Sequence, residues 1–161
     1  MNRTRDEIWQ ALNEVQDPEL PMVSVVEMGI VRDVQLADEG VVVKMTPTFS
    51  GCPALEVMRR EIAAKVRELG FADVKVETVL HPPWSSDWIA DSAREKLQKL
   101  GIAPPVRHGG NVMAVAFLDT AVCPHCNSSN TTLKNAFGPT LCKTVWYCHD
   151  CQDGFEQFKP L

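Results

Sequence analysis

The sequence predicts an α+β fold: a small sheet with helices on one face, followed by a C-terminal ribbon built around four cysteines. Three observations support this. Over the first hundred residues the hydrophobic period switches between helical and strand spacing, in the order helix, two strands, helix, strand. A proline- and glycine-rich stretch, APPVRHGGN at 103–111, then breaks the pattern. Beyond it, two identical Cys-x-x-Cys units, at 123–126 and 148–151, stand 21 residues apart. These features divide the chain into a domain over 1–102, a linker and lead-in strand over 103–119, and a ribbon over 120–161.

The elements follow in order. RTRDEIWQALNEVQ (3–16) puts Ile8, Leu12 and Val15 on one helical face with Ala11 beside them, and Thr4 with Glu7 forms a capping box. This helix should stop at DPELP, since prolines at 18 and 21 cannot continue it. GIVRDVQLADEGVVVKMTPT reads as a hairpin: Val31, Val34, Leu36 and the run 41–43 favour strand, and ADEG has turn chemistry. PALEVMRREIAAKVRELG is the clearest helix, opened by Pro53 and closed by Gly70, with an apolar stripe of Leu55, Met58, Ile62, Val66 and Leu69. ADVKVETVL is a third strand. HPPW at 81–84 forms an exposed corner. Asp87 or Ser86 then caps a helix that ends near Gly101, and VMAVAFL (112–118) is the lead-in strand.

Composition narrows the function classes. Hydrophobic residues make up 45% of the chain and charged residues 23%, near globular averages. No apolar run approaches the roughly 18 residues of a membrane span, and the start, MNRTRDEIWQALNEV, has no apolar signal region. The expectation is a cytoplasmic protein with no membrane partner. The net charge of −5 lies wholly in the first 119 residues, which hold 13 basic against 18 acidic side chains. Such a body does not attract phosphate backbones, so no nucleic-acid partner is expected. Protein partners, metals and small molecules remain.

In a reducing compartment six cysteines point to metal or redox chemistry rather than a disulfide framework. Each Cys-x-x-Cys turn aims two thiolates at one point, so Cys123, Cys126, Cys148 and Cys151 supply four sulfurs for a structural Zn²⁺; iron is the alternative for a four-cysteine set. A ribbon of about 40 residues is too short to bury a stable core unaided, and a metal explains how it folds. Cys142 would sit about 20 Å from Cys148 on the same strand, at roughly 3.3 Å per residue, so it is not a ligand. It reads as a small buried hydrophobe or a reactive thiol. His125 and His149 lie within the ligand turns, outside an already complete coordination set.

Cys52 stands apart from the other five cysteines, at a strand-to-helix turn where the helix dipole favours thiolate. Ser50 and Gly51 leave room for an approaching ligand, and Thr46 and Thr48 offer hydroxyls. The alternative is a buried cysteine filling a gap beneath the helix. Asp17 and Glu19 flank a proline and could orient a metal or a thiol-bearing partner; equally, they are the solvated carboxylates of a helix-stop turn.

Two segments together, DPELPMVSVVEMGIVRDV and VKMTPTFSGCPALEVM, resemble the metal–sulfur cluster assembly family that includes bacterial SufT. That family's Asp-Pro-Glu turn and threonine-to-Cys-Pro loop match Asp17, Pro18, Glu19, Thr46, Cys52 and Pro53. The later segments HPPWSSDWIADSAREKLQKLGIAPP and FGPTLCKTVWYCHDC are similar to the PaaD branch, which is associated with phenylacetyl-CoA epoxidase. The resemblance implies an accessory maturation factor for that multicomponent oxygenase in aerobic phenylacetate degradation. Cys52 would then handle iron or a transient Fe–S cluster, with Asp17, Glu19 and Thr46 as helpers. Its implied partners are the oxygenase or reductase subunits and the Fe–S assembly machinery. The chain has no nucleotide-binding glycine loop, flavin motif or Glu-x-x-His pair, so catalysis of the oxygenation itself is not expected. A non-catalytic scaffold that docks through the ribbon, and a thiol enzyme using Cys52, are the alternatives; the second needs a base, and His81 is the only histidine before the joint.

Overall fold

The computed structural model describes residues 3–37, 40–111 and 121–161. They form two compact units, which divide between Trp84 and Ser85.

In the first unit, helix α1 (Arg5–Leu12) starts at the expected capping box: Thr4 Oγ1 accepts from the Glu7 N–H, and the Glu7 carboxylate accepts from the Thr4 N–H. It ends four residues short of the expected boundary. Gln16–Asp17 forms β1 instead and pairs antiparallel with β2 (Leu20–Ser24), so Pro18 and Glu19 make the tip of a hairpin rather than a helix stop. Strand β3 (Val31–Leu36) runs antiparallel to β4 (Gly40–Met45). After β4 the chain crosses over through α2 (Leu55–Glu68) and returns as β5 (Asp73–Thr78), parallel to β4. Gly40 is required where these two strands converge, since a Cβ there would lie 2.5 Å from the Asp73 carbonyl oxygen.

Alternation along the strands assigns their faces. Val34, Val41, Val43, Met45 and Val76 are buried, while Gln35 and Lys75 are exposed. Helix α1 packs against α2 and β3, and α2 packs against β5, so both helices cover the same face. Ile8, Leu12, Met58, Ile62 and Val66 are wholly or almost wholly removed from water, each worth about 1.5–3 kcal/mol. Trp84 departs from its expected exposure. It is 5% exposed, and its indole N–H donates to the Met28 carbonyl at 2.9 Å.

The second unit begins earlier than the proline-rich joint suggests. A single 3₁₀ turn (Ser86–Trp88) leads to α3 (Asp91–Lys99) and to the two-residue strand β6 (Ile102–Ala103). These join β7 (Thr131–Asn135), β8 (Lys143–Cys148) and β9 (Gly154–Phe158) in a sheet of order β6-β9-β8-β7. Within this sheet β6 and β9 are parallel, and the other pairs are antiparallel. The helix expected to close the first domain therefore falls in the second unit. Its buried Ala93 and Leu97 lie on the helix that packs against β6, and the Arg94 guanidinium donates to the carbonyls of Ser86, Ile89 and Pro105. Ser86 also binds the backbone of Leu161. Neither Ser86 nor Asp87 caps α3, whose N-cap position is Ala90. The Asp87 carboxylate accepts instead from the N–H groups of His108 (3.0 Å) and Gly109 (2.7 Å). The lead-in strand expected at 112–118 lies outside the described residues. Among the described residues, no helix is long and apolar enough to cross a membrane.

Candidate metal centre and the cysteine loop

Both Cys-x-x-Cys turns are built alike. Cys123 receives the Asn127 N–H on its carbonyl, and its own N–H donates to Ser128 O, each at 2.9 Å. Cys148 is the last residue of β8, and its N–H donates to Asp153 O at 2.9 Å. In each unit the residue after the second cysteine, Asn127 or Gln152, has φ 60°, a left-handed turn that reverses the chain and brings both sulfurs to one side. The Asp150 carboxylate accepts from the Ser128 hydroxyl and the Asn130 amide, and the His149 N–H donates to the Asn130 carbonyl. These bonds tie the two turns together. Sequence reasoning missed them; the only local hint was the polar run SSN directly after the first pair.

The four Sγ atoms all lie within 4.8 Å of one another. Cys123 to Cys151 is 3.7 Å and Cys126 to Cys148 is 3.5 Å. A tetrahedral ion with bonds of about 2.3 Å to sulfur needs sulfurs about 3.8 Å apart, and the two shorter separations are close to that value. Cys123 and Cys148 are buried beside Trp146, Phe155, Ala103 and Ala121, so the metal site and the unit's core are continuous. Cys126 and Cys151 face solvent. With four thiolates the set leaves no open position, which is the pattern of a structural rather than a catalytic site.

Without metal, the thiols have unequal acidities. The backbone N–H groups of Cys151 and Asp150 outweigh desolvation at Cys148 and lower it to about 7. Desolvation and the three neighbouring sulfurs push Cys151 up to about 12. At Cys126 the Ser128 backbone pulls downward, but desolvation and the sulfurs of Cys148 and Cys123 raise the thiol above its ordinary value. Cys142 is half-buried, 3.1 Å from the Thr140 hydroxyl, and lies outside the cluster. His125 and His149 are exposed; His149 contacts the Thr132 hydroxyl at 2.7 Å.

In the first unit, Thr46 directly follows β4, is buried, and donates its N–H to Ile30 O at 2.8 Å. Cys52 is half-buried three residues before α2, its N–H bonded to Phe49 O and its carbonyl to Leu55 N, each at 3.1 Å. The N-cap of α2 is Ala54, which makes no side-chain capping bond. Asp17 is buried and accepts from the Glu19 N–H at 2.8 Å, an Asx turn that shapes the hairpin tip. Among the described residues, Asp17, Glu19 and Cys52 do not form a three-ligand cluster of metal-binding size.

The two units match two family models. Residues 5–78 match one described as iron–sulfur cluster assembly protein, and residues 111–159 match the PaaD zinc beta ribbon domain. An Escherichia coli (strain K12) protein provisionally named as a component of 1,2-phenylacetyl-CoA epoxidase is 41% identical over 156 residues, covering 96% of this chain and 92% of that one. The chain belongs to the PaaD family. Its first unit has separate relatives. An Fe–S protein maturation auxiliary factor of Porphyromonas gingivalis is 32% identical over 59% of this chain and 91% of its own. A solved structure of a conserved hypothetical protein from Thermotoga maritima superposes with a TM-score of 0.52 at 32% identity, covering 60% of this chain and 95% of that one. The PaaD family thus joins a domain also found as a free-standing protein to a metal-binding ribbon.

Proposed function

We propose that this PaaD-family protein is an accessory maturation factor for a multicomponent phenylacetyl-CoA epoxidase, assisting assembly of an iron or Fe–S centre in a client subunit through Cys52. The observation that bears most weight is the pairing of two domains with different chemistry. The four-cysteine site is closed and continuous with its own core, so it suits a structural Zn²⁺. Cys52 stands in a separate unit on an irregular loop, on the domain that matches the iron–sulfur cluster assembly model. The names given to its relatives, an epoxidase component and an Fe–S protein maturation auxiliary factor, support the same division.

In this reading Cys52 is a transient thiolate contact for iron, which passes through as cargo. Asp17 and Glu19 shape the hairpin tip, and Thr46 anchors the loop. Client partners are the oxygenase or reductase subunits, with the Fe–S assembly machinery as donor. The protein acts in the cytoplasm, where its six free thiols stay reduced, and it does not catalyse the epoxidation.

The test is anaerobic metal and sulfide analysis of wild type and Cys52→Ser, together with the iron content of epoxidase subunits matured beside each. About one zinc per chain in both proteins is expected. Iron or sulfide should appear only with wild type, and client iron should fall with the variant. Full client loading by Cys52→Ser, alongside loss of loading when residues 120–161 are removed, would replace this reading with a scaffold that docks through the ribbon.

A further inference from the structure

Residues 79–110 lie between the stretches matched by the two family models, and they contain α3 and β6. Helix α3 cannot stand alone. It has nine residues, and Ala90 at its N-cap makes no side-chain capping bond. An isolated helix shorter than roughly 12–15 residues is marginal in water. Its order must come from what covers Ala93 and Leu97, both fully buried, and the element it packs against is β6.

That cover is tied to the four cysteines. Ala103 of β6 is buried in one core with Cys123, Cys148, Trp146 and Phe155, where β6 is held by its parallel pairing with β9. Gln98 Nε2 donates to Asn127 Oδ1 at 3.1 Å. Asn127 is the left-handed residue, φ 60°, that turns the chain after Cys126, and its N–H donates to the Cys123 carbonyl. Gly101 follows the C-cap of α3, and a Cβ there would lie 3.1 Å from Cε1 of His125, the residue before Cys126. Helix α3 thus ends against the first Cys-x-x-Cys turn, and the missing side chain at 101 makes room for the His125 ring.

We infer that α3 and β6 are part of the metal centre: zinc binding and the ordering of residues 91–103 form one linked equilibrium, with Gln98 as a positioning residue for the turn that carries Cys123 and Cys126. A ligand that binds only the ordered form stabilises everything ordered with it. The coupling is reciprocal, so the packing of α3 also raises zinc affinity. The metal-dependent unit is then the whole of Ser85–Leu161, well beyond the segment that carries the four ligands. This holds whatever Cys52 does and whichever client is served.

The test uses the full-length chain with zinc bound and after its removal by a chelator, verified by metal analysis. Amide exchange in α3 and β6 should slow on zinc binding together with that in β8, while α2 in the other unit stays as it was. Leu97→Ala removes a buried side chain far in sequence from every ligand, and it should weaken zinc binding by at least about tenfold in chelator competition. Unchanged protection of α2 in this variant shows that the first unit remains folded. Gln98→Ala, on the exposed surface, should weaken binding by about two- to tenfold. It should have no effect once Asn127→Gly has removed the acceptor while keeping the left-handed turn. Protection of α3 that survives zinc removal, or wild-type affinity in Leu97→Ala, would overturn the linkage. An equal effect of Gln98→Ala in both backgrounds would overturn the role given to Gln98.

Discussion

Lowering the pH from 7 to 6 should cost the four-cysteine site at least about a hundredfold in zinc affinity. Zinc takes thiolates, so every ligand thiol still protonated in the metal-free protein must release its proton on binding. Cys126 and Cys151 are both raised above the ordinary thiol range, Cys151 to about 12, and both are protonated at pH 7. Cys148, at about 7, gives up a further fraction of a proton. At least two protons therefore leave per zinc bound, and each contributes about 1.4 kcal/mol per pH unit, with binding favoured as the pH rises. Two of the ligands are also core residues beside Trp146 and Phe155. Metal loss should accordingly unfold the β7–β8–β9 sheet and leave β3–β4–β5 intact. Competition with a chromophoric chelator at several pH values gives the slope, and amide hydrogen exchange with and without the metal reports the two sheets separately. A slope of one proton or fewer, or unchanged protection of β8 after verified zinc removal, would refute the reasoning.

Three further outcomes follow from particular contacts. Trp84→Phe removes the indole N–H and leaves the buried Met28 carbonyl without it, so urea denaturation should show a loss of about 1–3 kcal/mol; a change under half of that would mean the bond contributes little. Gly101 has φ 76° and lies where a Cβ would come 3.1 Å from the His125 ring, so Gly101→Ala should lower the thermal midpoint of the second unit, and adding His125→Ala should restore only part of it. Asp33 accepts from the side chain of Gln35, the Val34 N–H and Arg5, which hold its carboxyl below the ordinary range against desolvation. Its contribution to stability is present above the unfolded-state value and vanishes as the pH falls through the folded one. The protection lost in β3–β4 amides of Asp33→Asn should therefore be present at neutral pH and absent in acid, and a loss of equal size at both would count against the linkage.

Features decided by near neighbours could be read from the sequence. The Thr4–Glu7 capping box, the alternation through β3 and β4, and the stripe of α2 each depend on residues a few positions apart, and each appears as expected. So does the cysteine cluster, because two identical turns fix four sulfurs by spacing alone. Features set by distant partners were hidden. The prolines of HPPW suggest exposure, yet the Trp84 indole meets a carbonyl 56 residues upstream. The pattern of α3 shows that it has a buried face but not which sheet will cover it. β1 and β6 are two residues long, too short for any period, and exist because β2 and β9 lie alongside. Around the candidate sites, the Asx turn of Asp17 is legible as turn chemistry, whereas the tie from Asp150 to Ser128 and Asn130 spans two separate turns.

The parallel pairing of β6 with β9 also sets an order of events during synthesis. The first unit has all of its strands once residue 78 has been made, and it can close while translation continues. The second cannot. Ile102 and Ala103 must wait for Glu156 and Gln157, and the metal must wait for Cys151. Residues 85–103 therefore leave the ribosome without their sheet, and the nascent chain presents a finished cysteine-loop domain before its ribbon can hold an ion. Folding of this protein is thus vectorial, and any partner that recognises the first unit alone can meet it before the second exists.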